Sequence, residues 1–252
     1  MHQAQHVVDL RLSGQIALHG VSGFAINLQD ELILARALND DADDYLYSGL
    51  ISIGDALRGI DSGLFTWSTV KLYYSVFYVC RSILAYDGHA LLYHAKKPIS
   101  LRCVAGEKLC KRKGTSHEAV LSLFELVFPT SVLLSQEIEL ETPLAWLMRK
   151  RTDANYKIAR FVEPEVPAPF ENIVRFGVRK SLAAYVDDVS LAYAFDPDHA
   201  LLALPILALK EAFRLRRRSA TSELLGHTDR AFLSKIYSDR SGTLSSLTSL
   251  MA

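Results

Sequence analysis

Ser68-Thr69-Val70-Lys71-Leu72-Tyr73-Tyr74-Ser75-Val76-Phe77-Tyr78-Val79-Cys80-Arg81-Ser82-Ile83-Leu84 repeats its large apolar side chains at helical spacing. Val70, Tyr73, Tyr74, Phe77, Ile83 and Leu84 carry the period, Thr66 or Ser68 can cap its start, and Gly88 ends it. A helix this aromatic must bury one face, so it predicts the centre of an α-helical bundle. Working outward, Asn39-Asp40-Asp41-Ala42-Asp43-Asp44 supplies caps and first-turn acids for a helix over 42–60, with an apolar helical period before it at 28–37. Downstream, 116–128 reads as a helix apolar nearly all round and stopped by Pro129, and 142–161 as a longer one.

The remaining segments are less periodic. Val7, Val8, Leu10, Leu12, Ile16, Leu18 and Val21 alternate loosely around Gly14 and Gly20, which predicts a hairpin or extended arm over residues 1–27. Residues 89–113 mix apolar side chains with seven cations and read as a connection with short structure inside it. Pro164, Pro167 and Pro169 make a stiff linker. Beyond it lie two helical patterns (170–193 and 199–217) and a Ser/Thr-rich tail from Gly226 that reads as flexible. The expected organisation is a helical domain over 28–163 between the N-terminal arm and a C-terminal helical extension, 164–252.

Composition excludes several classes. With 28 basic and 28 acidic residues, no global field draws the protein to nucleic acid or an anionic membrane, so any such site must be local. Cys80, Cys103 and Cys110 form no Cys-x-x-Cys pair and read as reduced thiols of a cytoplasmic protein. The first residues lack the basic and apolar regions of a secretion signal, and the run 200–209 is too short to cross a bilayer. No carboxylates or histidines stand at metal-ligand spacing, and no phosphate loop or nucleophile elbow is present, so neither metal nor cofactor is expected.

Chemistry concentrates in Leu147-Met148-Arg149-Lys150-Arg151-Thr152-Asp153-Ala154-Asn155-Tyr156. Arg149 and Asp153 stand four apart on one helix face, and Arg151 precedes Tyr156 by five. Three segments in order (68–84 closing at Asp87-Gly88, 116–124 opening Ser116-His117-Glu118, and 151–156) resemble the HEPN family, helical domains found beside nucleotidyltransferases and in bacterial toxin–antitoxin and phage-defence operons. The resemblance covers somewhat over a third of the chain. It implies an antiparallel helical bundle, pairing of two copies or of a copy with a partner from the same operon, and in catalytic members a metal-independent RNase site shared across the dimer.

In such sites an arginine is followed four to six residues later by a histidine. The arginine steadies the pentavalent phosphate and the histidine takes the 2′-hydroxyl proton. Arg151 matches the arginine, but Tyr156 stands where the histidine is due, and no histidine lies between His117 and His199. An ordinary tyrosine is about a thousandth ionised at pH 7, a deficit of roughly 4 kcal/mol against base catalysis. The expectation is therefore a non-catalytic or weakly catalytic subunit that dimerises and binds a partner or nucleic acid. Two alternatives stand beside it: an RNase using Arg151 with Tyr156 or a histidine from elsewhere, and a plain helical scaffold in which Arg151, Asp153 and Tyr156 only pack the bundle.

Candidate contacts for phosphate or partner are Arg149, Lys150, His117 and the run Arg214, Arg216, Arg217 and Arg218. Each also has a structural account: a helix start for His117, and the favourable dipole of a helix C-terminus for the arginine run.

Overall fold

Helix α3 (Leu28–Asp61) turns back through Gly63 into α4 (Phe65–Tyr86), and this antiparallel pair is the spine of the computed structural model, which describes residues 2–219 and 224–251 but not the side chains of Arg218 and Ser219. Direction and closeness are both legible in the contacts. The Ser82 hydroxyl donates to the Ala42 carbonyl (2.8 Å) and the Ser68 hydroxyl to the Ala56 carbonyl (3.1 Å), so small polar residues stitch the two backbones at either end. The fold is mainly α-helical.

The remaining elements wrap this spine. Residues 3–19 form α1 (Gln3–Val7), a π-turn (Val8–Leu12) and α2 (Ser13–His19); a sheet β1 (His89–His94), β2 (Lys97–Arg102) and β3 (Cys110–Lys111) follows α4. Next come α5 (Ser116–Val127), α6 (Pro143–Thr152) with a π-turn (Asp153–Lys157), α7 (Ala168–Phe176), α8 (Val178–Asp187) and α9 (Ala200–Ser219). Helix α10 (His227–Ile236), the short pair β4 (Ser238–Asp239) and β5 (Gly242–Thr243), and α11 (Ser245–Leu250) complete the order.

Two apolar clusters divide the interior. The larger joins α3, α4, α5 and α6 to α7–α11 through Leu50, Leu72, Phe124, Trp146, Leu204 and Tyr237, so one core runs across the proline-rich segment. The smaller packs Ala4, Val8, Leu12 and Ile16 against Leu34, Leu38, Leu92 and Ile99. Among the described residues no helix is long and apolar enough to cross a membrane.

Several expectations need correction. The N-terminal segment is helical, not an extended arm: its buried residues Ala4, Val8, Leu12 and Ile16 recur every fourth position, whereas Leu10 and Leu18, which suggested alternation, are exposed. Helix α3 is continuous from Leu28, because Asn27 caps it by accepting from the Asp30 N–H (2.9 Å). Within the acidic run, buried Asp41 instead caps α1, accepting from the Gln3 and Ala4 N–H groups at 2.7 and 2.9 Å.

Neither Thr66 nor Ser68 caps α4. The Glu163 carboxylate does so, taking the Thr66 N–H and hydroxyl at 2.7 Å each. Residues 89–111 form a sheet whose first turn runs through Ala95 and Lys96, both at positive φ, the pairing that suits a two-residue hairpin loop. The 142–161 helix leaves helical structure after Lys157, the 170–193 pattern breaks at Gly177 (φ 87°), and the tail expected to be flexible folds as α10 and α11, with Leu233, Tyr237 and Leu247 in the core.

Candidate functional site

Pro143 in the first turn and a cap from the Thr142 hydroxyl start α6, and apolar Leu144, Trp146 and Leu147 bury one face. The same face ends in Arg151, four residues after Leu147 and seven after Leu144. There the π-turn takes over, and its i→i+5 bonding pattern sets residues five apart one above the other. Tyr156 is thereby folded back over Arg151, with its ring centroid 5.2 Å from the guanidinium carbon.

Helix α4 supplies the other walls. Tyr73 and Tyr74 each present a ring 5.7 Å from the same guanidinium, and the Tyr74 and Tyr156 hydroxyls lie 3.4 and 3.5 Å from Nη2. No carboxylate among the described residues forms an ion pair with Arg151, and its Nε is buried without a hydrogen-bond partner. Three aromatic faces can hold a cation by their quadrupoles, but they leave its charge unneutralised.

His117 completes the cluster. It lies in the first turn of α5, where Thr115 and Glu118 form a reciprocal capping box, so the histidine side chain is free of capping duty. Its Nδ1 shares a 2.8 Å hydrogen bond with the Tyr73 hydroxyl, and its ring packs on Tyr73, Tyr74 and Phe77 with centroids 4.7–5.6 Å away. Burial pushes its pKa below the ordinary 6.5, and the cations Arg151 and Arg81 push it further down against the weaker pull of Glu118. At neutral pH the ring is therefore an uncharged imidazole. Burial also raises the Tyr73 hydroxyl well above its ordinary pKa despite the nearby Arg151, so Tyr73 stays protonated.

The structure thus unites Arg151, Tyr156 and His117, three positions the sequence singles out. It adds Tyr73 and Tyr74, which the helical period assigns to core; only their location on the α4 face opposite the end of α6 gives them a role. Arg149 and Lys150 go elsewhere. Arg149 binds Glu139 (2.7 Å) and Glu141 (2.5 Å) and lies 3.7 Å from Asp153, while Lys150 lies 3.4 Å from Glu139 and over the Trp146 ring. Bonds from Arg149 and Trp146 hold the Glu139 carboxyl below its usual range.

The α9 arginines are likewise engaged in part. Arg214 pairs with Glu211 (2.8 Å), Arg216 reaches across to Asp43 on α3 (2.9 Å), and Arg217 is exposed; the Arg218 side chain lies outside the described residues. Among the described residues no three His, Cys, Asp or Glu side chains gather into a group that would hold a metal ion.

Chemically the cluster offers a half-buried cation without a counter-ion, a neutral imidazole that can accept a proton, and phenol donors around them. Compared with known proteins, the chain matches no family model, no curated protein and no solved structure.

Proposed function

We propose that the chain is a HEPN-like subunit of a bacterial multi-component system, of defence or toxin–antitoxin type, that binds RNA by a phosphate at Arg151. The observation that carries this reading is the uncompensated Arg151 guanidinium inside a tyrosine box. A phosphate oxygen is the natural complement to such a group, since arginine donates to it in a planar fork. The tyrosine rings flanking it offer faces for a base to stack on. Pairing with a second copy or a partner from the same operon is part of the proposal and follows from the family likeness.

One observation favours a second reading, that of a weak metal-independent endoribonuclease. His117, neutral and beside Arg151, is a better proton acceptor than Tyr156 at pH 7.

The deciding experiment incubates wild type, Arg151→Ala, His117→Ala and Tyr156→Phe with labelled single-stranded RNA in EDTA, following anisotropy and cleavage together. The expected result is binding that weakens about ten-fold in Arg151→Ala, the loss of one charge-assisted contact, with no cleavage by any protein. Cleavage abolished by both Arg151→Ala and His117→Ala establishes the nuclease instead. Binding indifferent to Arg151 removes the RNA reading and leaves a scaffold.

A further inference from the structure

The sheet after α4 concentrates positive charge on a chain whose basic and acidic residues balance in total. Residues 95–113 hold Lys96, Lys97, Arg102, Lys108, Lys111, Arg112 and Lys113 against a single carboxylate, Glu107. All seven but Arg112 are exposed, and no ion pair among the described residues engages any of them. Arg112 is held in place by donating from Nε to the Ser100 hydroxyl (2.7 Å) and from its N–H to the Pro98 carbonyl (2.9 Å).

Strand alternation sorts this charge. Ala90, Leu92, Ile99 and Leu101 turn inward to the smaller core, so His89, Ser100 and Arg102 face the other way. Between that outer face and α5 runs a cleft of about 470 Å³, lined by Arg102, Lys108 and Arg112 on one side and Leu123, Leu126 and Val127 on the other, with the carboxylates Asp87 and Glu107 also at its wall. Leu126 is 63% exposed, an apolar wall facing a basic one. The chain leaves the sheet through Arg112 and Lys113 and reaches His117 four residues later, at most about 14 Å of backbone.

We propose that this cleft is a track for the phosphate backbone of the same RNA strand whose phosphate Arg151 holds. The inference rests on the RNA reading of the Arg151 site and extends it to a second, separately placed surface. Clustered cations without counter-ions favour a polyanion because binding releases its condensed ions. An exposed leucine opposite them gives a sugar or base edge an apolar surface, which an acidic peptide needs less. The short chain distance from Lys113 to His117 puts both within reach of one strand.

The test measures a labelled oligouridylate binding to wild type, to Arg151→Ala, and to a triple variant Arg102→Ala, Lys108→Ala, Lys113→Ala, over a salt series. Circular dichroism confirms the folded state, which exposed and unpaired side chains seldom affect. The expected result for the triple variant is at least about ten-fold weaker binding at low salt, and a plot of log affinity against log salt about two units shallower, near 0.7 per lost single-strand contact. A triple variant that binds like wild type while Arg151→Ala is weak overturns the track and leaves the Arg151 reading intact. A weak triple variant beside an unaffected Arg151→Ala supports the track and removes Arg151. Wild type that ignores the oligonucleotide but binds polyglutamate through these three residues overturns the proposal in favour of an acidic protein partner.

Discussion

The Tyr73 hydroxyl and Nδ1 of His117 lie 2.8 Å apart, and this bond decides which part of the imidazole is left for chemistry. With Nδ1 engaged by α4, only Nε2 remains to meet a ligand, and the tautomer follows from what Tyr73 donates or accepts. The bond also fixes the start of α5 against α4, so a structural contact and the candidate site share one side chain.

Arg151 should tune the titration of His117. Burial, then Arg151, lowers the His117 pKa, so Arg151→Ala should move its ring resonances back toward 6.5 in an NMR titration. The linked stability follows in sign. The unfolded chain takes up the proton more readily, so the native contribution is full above 6.5 and is lost as pH falls through the lower folded value. His2 is depressed as well, by burial and Arg81, so the comparison belongs in a His2→Gln background. A His117 pKa unchanged by Arg151→Ala would mean the two groups are too far apart to act together.

Glu163 should matter to α4 from 97 residues away. It accepts both the Thr66 N–H and hydroxyl, an N-cap supplied by another part of the chain. Burial pushes the Glu163 pKa up, but the Thr66 donors together with the backbone N–H groups of Glu163 and Phe65 outweigh it and leave the carboxyl below its ordinary 4.5. Its stabilisation is thus present above pH 4.5 and lost as pH falls through the folded value. Glu163→Ala should cost about 1 kcal/mol in urea unfolding at pH 7, typical of a lost cap, and the difference from wild type should shrink in acid. A constant difference down to low pH contradicts the capping role.

How much of this was legible depends on whether the cause is local. The α4 period and the Ser116 start of α5 are local, and both helices stand where the sequence puts them, as does the α9 pattern. The Arg151–Tyr156 spacing is visible as well. What escapes is long-range: Asp41 reaching back to α1, Glu163 reaching across to Thr66, and His117 brought to Arg151 by the packing of α5 and α6 around Tyr73. The N-terminal helices were hidden differently. A period of four through Val8 and Leu12 passes along a π-turn, and the intervening exposed Leu10 imitates a strand.

The arginine run on α9 should divide in two. Arg216 has a side chain only 13% exposed and binds Asp43, which also accepts from the Tyr86 hydroxyl. Arg216→Ala leaves that carboxylate short of its cation and should cost about 1.5–3 kcal/mol, as for hydrogen bonds to charged groups. Arg217 is exposed, and Arg217→Ala should stay within roughly 0.5 kcal/mol of wild type. Thermal melts of the two variants compare them directly, at about 2–4 °C per kcal/mol for a chain this size. Equal melting temperatures would show that the Asp43 contact adds nothing to stability.

The last prediction sets two glycine-to-alanine changes against each other. Gly14 lies on the exposed face of α2 with nothing within 4 Å of an added Cβ. Gly14→Ala should therefore stabilise by about 0.5–1 kcal/mol through helix propensity alone. Gly54 lies in the middle of α3, where an added Cβ overlaps the Ile236 Cγ2 methyl and the Tyr237 ring. That ring cannot yield easily: it is fully buried, and its hydroxyl donates to the Leu50 carbonyl at 2.7 Å. Overpacking of about 1–3 kcal/mol should then outweigh the same propensity gain, so Gly54→Ala should destabilise. Tyr237→Phe, which removes the hydroxyl's additional hydrogen bond to the helical Leu50 carbonyl, should cost about 1 kcal/mol and, by freeing the ring to shift, should relieve part of the Gly54→Ala defect in the double variant. If Gly54→Ala instead raises the melting temperature as Gly14→Ala does, Ile236 and Tyr237 are not packed on α3 as described.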